Sequence, residues 1–85
     1  MNARWKLIER VKLVEDYRLE VVFDDGERRL YDARELLALP MYAKLKNPGF
    51  FAKASAQCGG VVWDDATDLA PEYVYEHSVP ATDGR

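Results

Sequence analysis

A chain of 85 residues, 48% hydrophobic and 32% charged, has the balance of a globular domain rather than a disordered segment, and its length predicts one domain, not two. A net charge of −3 offers no general attraction to a phosphate backbone, which requires clustered Lys and Arg. The single cysteine, Cys58, excludes an intramolecular disulfide and a cysteine-rich zinc site.

A domain this small buries only about 60–65% of its unfolded surface, so pairing as a homodimer or docking on a partner would add needed stability. The stretch from Met1 to Arg10 mixes Arg, Trp, Lys and Glu and lacks the apolar core of a signal peptide. No apolar run approaches the roughly 18 residues of a membrane span. The expectation is a soluble, cytoplasmic protein with no membrane partner.

From Trp5 to Val14 the chain alternates. Trp5, Leu7, Val11 and Leu13 point one way, with Glu9 interrupting, and Lys6, Ile8, Arg10 and Lys12 point the other. That pattern predicts a half-buried strand with a basic outer face. Leu19, Val21 and Phe23 form the apolar face of a second strand. Matching the two faces requires an odd number of loop residues, so a three-residue loop is expected. Asp25-Gly26 reads as the tip of a two-residue type I′ hairpin. This register sets Val21 opposite Leu30 and Glu20 opposite Tyr31, with Leu30 in the core and Tyr31 outside.

Asp32 is placed to cap a helical segment, with Glu35 near its positive end. Leu36, Leu37 and Leu39 give that segment an apolar side, and Pro40 ends or kinks it. Met41 to Lys46 adds another turn, Asn47-Pro48-Gly49 is a loop, and Phe50 and Phe51 anchor the core below. Ala54, Ala56 and Cys58 then alternate with Lys53, Ser55 and Gln57, leading to a turn at Gly59-Gly60. That turn sets Cys58, facing inward, opposite Val61 and Ala56 opposite Trp63. After Trp63 an acidic turn runs through Asp64, Asp65 and Asp68, and Pro71 fits the first position of a helix ending near Glu76. The fold class is α+β: a three-stranded antiparallel meander, a short helical segment, a β-hairpin and a short C-terminal helix. One domain covers residues 1–77, and 78–85 read as a disordered tail.

Candidate chemistry is sparse. Asp64, Asp65, Asp68 and Glu72 crowd one stretch, but a calcium loop needs alternating oxygens and a glycine, and position 66 is Ala. A polar turn beside a helix start explains them better. His77 has no ligand pattern around it. Cys58 has no neighbouring base, and Ser55 and Ser78 sit in no nucleophile motif. No catalytic residue, metal or cofactor is expected. Lys6, Arg10 and Lys12 share the outer strand face, with Arg29 or Arg18 near them. Such a stripe could meet an acidic protein or nucleic acid, or simply guard an edge strand against aggregation.

Phe23-Asp24-Asp25-Gly26, Asp32, Leu36-Leu37, Phe50-Phe51, Gly59-Gly60, Trp63, Asp68-Leu69-Ala70-Pro71-Glu72 and Tyr75 together resemble a small bacterial family called domain of unknown function 2442. The ending is its most specific part: tryptophan, short turn, Asp, apolar residue, Pro, acidic residue and Tyr. Ala66 stands where the family usually has a turn glycine, and Asp64 where it usually has proline. The resemblance implies a compact α+β fold with no established enzymatic activity. It also implies relatives that carry a helix-turn-helix segment, or that occur beside a small protein in apparent toxin–antitoxin pairs. An 85-residue chain leaves no room for such an added segment, so regulation is expected to work through a partner. The leading expectation is therefore a non-catalytic protein-interaction module, antitoxin-like or regulatory, with an unidentified protein partner. The alternative is a nucleic-acid-associated regulator using the basic strand face.

Overall fold

A computed structural model describes residues 6–81 and folds as α+β, with two antiparallel sheets and short helices around one core. In chain order the elements are β1 (Ile8–Val14), β2 (Arg18–Phe23), β3 (Arg28–Asp32), 3-10 helices at Ala33–Ala38 and Pro40–Lys46, α1 (Pro48–Phe51), β4 (Ser55–Gln57), β5 (Gly60–Asp64), β6 (Thr67–Leu69), α2 (Pro71–Glu76) and β7 (Ser78–Pro80). The larger sheet has the order β1-β2-β3-β7 and the smaller β4-β5-β6.

β2 is the central ruler of the larger sheet. Its odd positions, Leu19, Val21 and Phe23, are wholly buried, as period-two alternation requires of a strand with one covered face. The loop to β1 is the expected three residues, Glu15 to Tyr17, closed by Val14 opposite Arg18. Asp16 and Tyr17 are left-handed there, at φ 60° and 64°, a costly conformation for non-glycine residues. Tyr17 offsets that cost by resting its ring 4.6 Å from Phe51 and donating its hydroxyl to the Lys46 carbonyl at 2.9 Å.

Three features of this sheet depart from the sequence expectation. First, β1 carries a bulge at Glu9, so Ile8 pairs with Phe23 while Arg10 pairs with Val22. One extra residue reverses the face of everything before it. Ile8 is therefore core, not outer, and Lys6 turns to the core side with it. Trp5 lies outside the described residues.

Second, the hairpin after Phe23 has three loop residues, Asp24 to Gly26. The Phe23 amide donates to the Glu27 carbonyl, and only Gly26 is left-handed, at φ 90°. Asp25 accepts the Glu27 amide at 3.0 Å instead of adopting positive φ. The register then sets Val21 opposite Arg29 and Leu19 opposite Tyr31, not Val21 opposite Leu30. Tyr31 is fully buried and Leu30 lies on the outer face.

Third, Ser78–Pro80 is not a tail. It pairs with β3, setting Val79 opposite Leu30 and Ser78 opposite Tyr31. Pro80, which has no amide to donate, sits in this terminal strand of the sheet, where a missing donor costs least. Residues 82–85 lie outside the described residues.

In the smaller sheet the turn falls at Cys58-Gly59, both left-handed at φ 52° and 84°, rather than at Gly59-Gly60. Gln57 faces Gly60, Ala56 faces Val61 and Ser55 faces Val62, so neither Cys58–Val61 nor Ala56–Trp63 pairs. Cys58 is exposed, not inward. Gly60 is held in the strand by long-range packing: a Cβ there would collide with the Leu69 carbonyl oxygen. The acidic turn shrinks to Asp65-Ala66, because Thr67–Leu69 forms a strand against β5.

Asp32 caps as expected, accepting the Arg34 amide, but the segment it caps is a 3-10 helix. Pro71 opens α2, whose N-cap is Ala70 with no side-chain bond. Trp63 is 95% buried and donates Nε1–H to the Phe51 carbonyl at 3.1 Å, tying the smaller sheet to α1.

Candidate interaction face

The bulge at Glu9 divides the expected basic stripe in two. Lys6 and Arg29 lie on the core side of the larger sheet, where both are consumed by neighbours. Lys6 pairs with Glu27 and, at 3.0 Å, with Asp25. Arg29 reaches Glu27 at 2.8 Å and donates to the Ser78 hydroxyl at 2.7 Å and carbonyl at 2.8 Å. Both cations lie over the ring of Tyr75, the Lys6 ammonium 4.5 Å and the Arg29 guanidinium 4.0 Å from its centroid. Its hydroxyl donates to Glu27 at 3.1 Å, and its edge meets Phe23 with ring centroids 5.3 Å apart. This is a latch joining the start of β1, the β2–β3 hairpin, α2 and β7. Asp25 and Tyr75 both take part in it.

Glu27, the hub of that latch, is not apparent from the sequence. Its one local signal is the two-residue spacing to Arg29, which puts both side chains on one strand face. Lys6 and Arg29 hold its carboxyl below the usual range, and the Glu27 amide and Lys6 do the same for Asp25. Lys44, 2.9 Å away, holds Asp64 at about 2. Lys6 in turn is held above its ordinary value, chiefly by Glu27.

The carboxyls have depressed values in the folded state, so their stabilisation is complete above the unfolded values and lost as pH falls through the folded ones. Lys6 has the opposite sign, and its contribution is lost only in strong alkali. Thermal melts should therefore be flat near neutrality and fall between about pH 4.5 and 2. An Asp25→Asn/Glu27→Gln variant should melt lower at pH 7 and with a shallower acid slope. Parallel slopes would show that the latch adds nothing.

Arg10 and Lys12 remain on the outer face. Among the described residues neither has an ion-pair partner. Cross-strand register places Lys12, Glu20, Leu30 and Val79 in one row and Arg10, Val22 and Arg28 in the next. Arg28 pairs with Glu20 at 3.5 Å. Val79 is 59% exposed, and Val22 and Leu30 are half-buried diagonal neighbours. No residue of this face is buried, whereas Ile8, Leu19, Val21, Phe23, Tyr31 and Ser78 on the opposite face all are. The result is an aliphatic strip with Arg10 and Lys12, unpaired among the described residues, at one end.

The other candidates stay apart. Asp64 accepts the Ala66 amide at 3.0 Å and pairs with Lys44, as a turn residue does. The Asp68 side chain caps nothing, and its carbonyl accepts the Tyr42 hydroxyl at 3.1 Å. The His77 ring stacks on Tyr73 at 4.0 Å.

A family model described as Protein of unknown function (DUF2442) matches residues 8–80. That span runs from the first residue of β1 to the last of β7. No curated protein and no solved structure matches the chain.

Proposed function

Since the chain belongs to the DUF2442 family, whose function is unknown, we propose that it is a non-catalytic interaction module whose outer sheet face docks an acidic partner protein. The supporting observation is the face itself: Arg10 and Lys12, unpaired among the described residues, beside the Val22, Leu30 and Val79 strip. An isolated aliphatic residue on a surface is ordinary. A contiguous strip rimmed by unpaired charge is the composition of a docking surface. The finer reading, a regulatory or antitoxin-like half of a two-protein pair, rests on the family resemblance alone.

The test is affinity capture from lysate of the source organism, comparing the wild-type chain with Arg10→Glu/Lys12→Glu. The expected result is one stoichiometric protein bound by the wild type and retained about tenfold less by the variant, a loss of ~1.4 kcal/mol. Equal retention would move the interface elsewhere. Recovery of nucleic acid alone would replace this reading with the nucleic-acid one, which uses the same two cations.

A further inference from the structure

A second surface lies on the opposite side of β3 from the bare face. There a cleft of about 230 Å³ is lined by Leu36, Leu39, Tyr42, Asp68, Leu69 and Tyr73. The two phenols in its wall are already committed. Tyr42 donates to the Asp68 carbonyl at 3.1 Å, and Tyr73 to Glu35 Oε2 at 2.6 Å. The same Glu35 oxygen accepts Tyr31 at 2.7 Å. With those hydroxyl protons given to internal acceptors, the cleft offers a visitor mainly leucine methyls and ring carbon, with Asp68 beside them. Water gains little there, and an apolar side chain gains most. Leu39 at its wall is 43% exposed, and Met41, beside Tyr42 in the chain, is 75% exposed.

Two carboxylates lie at the cleft. Asp68 belongs to its lining, and Glu35 sits at the tip of the Tyr73 ring. Among the described residues neither carboxylate pairs with a cation, whereas Glu27, Asp32 and Asp64 each do. An apolar anchor carried beside an anion would be repelled, and one beside a cation attracted. Volume, lining and charge therefore select the same visitor. We propose that this cleft is an anchor pocket for a partner-protein segment bearing a bulky aliphatic side chain next to Arg or Lys. This site is distinct from the cationic sheet face and goes beyond the reading built on it.

The probes are three capped dipeptides, acetyl-Leu-Arg-amide, acetyl-Leu-Glu-amide and acetyl-Gly-Arg-amide, titrated into the methyl-labelled full chain and followed by NMR. Acetyl-Leu-Arg-amide should give saturable shifts at the Leu36, Leu39 and Leu69 methyls, and the other two should not. Glu35→Gln/Asp68→Asn should weaken its binding about three- to fivefold. Ala70 is exposed and also lines the cleft, so Ala70→Trp should fill it and abolish the shifts without disturbing the core. Equal binding of acetyl-Leu-Glu-amide, shifts that survive Ala70→Trp, or no saturable shift with any probe would each overturn the proposal. Arg10→Glu/Lys12→Glu should leave this titration unchanged, so failure of the sheet-face reading and failure of this one are read separately.

Discussion

Replacing Trp63 with alanine is expected to destabilise the domain by about 3–5 kcal/mol. The ring is 95% buried and lies 5.9 Å from the Phe51 ring, and its indole N–H donates to the Phe51 carbonyl. That carbonyl also accepts the Ala54 amide at 3.2 Å, so losing the indole does not orphan it. The cost comes mainly from the cavity and the lost apolar contact. Trp63→Phe, which keeps a ring but drops the donor, should cost nearer ~1–2 kcal/mol, one hydrogen bond plus a partial void. A domain of this size has roughly 4–13 kcal/mol in total at about 0.05–0.15 per residue, so the alanine substitution removes a large share of it, and at the lower end of that range brings the domain to its unfolding midpoint. Urea denaturation measures both. A loss below about 1 kcal/mol for Trp63→Ala would mean that the ring does not join the smaller sheet to α1.

How far the sequence carried depends on the range of the interaction that decides each element. The β1–β2 loop followed from face parity, a property of two adjacent segments, and three residues were found. Pro71 opened α2, and Asp32 capped the helical stretch, because a missing amide and a short acceptor act within one turn. Gly60 could not be read locally. It looks like half of a Gly-Gly turn, yet it is needed in the strand by the approach of the Leu69 backbone, and that displaces the turn onto Cys58. Ser78–Pro80 looked like a tail because so short a segment carries little periodicity. It is a strand because β3 offers an edge and Arg29 grips Ser78.

The candidate face failed in the same way. One bulge at Glu9 took Lys6 out of the stripe and into the latch around Tyr75, a contact between residues far apart in the chain. Arg29 was lost to the same latch through the shifted hairpin register. Arg10 and Lys12 survived because the alternation after the bulge is regular. The aliphatic strip beside them was legible only once the β2–β3 register was known.

That register has a direct energetic signature. With three loop residues Tyr31 enters the core and Leu30 faces outward; with a two-residue type I′ tip the roles exchange. Tyr31→Ala is therefore expected to cost about 3–5 kcal/mol, since the ring is fully buried and packs edge-on to Tyr73 with centroids 6.1 Å apart. Leu30→Ala should cost only about 1 kcal/mol, the value of a partly covered aliphatic chain. Tyr31→Phe isolates the hydroxyl. Burial and Glu35 push that phenol well above its ordinary range, so it is a neutral donor near pH 7, and removing it should cost about 1 kcal/mol. The loss stays small because Glu35 keeps the Tyr73 donor. Urea titrations of the three variants give the ordering Tyr31→Ala far above Leu30→Ala and Tyr31→Phe. The reverse order between Tyr31→Ala and Leu30→Ala would restore the two-residue turn. It would also turn Leu30 inward and break the aliphatic strip on which the docking face depends.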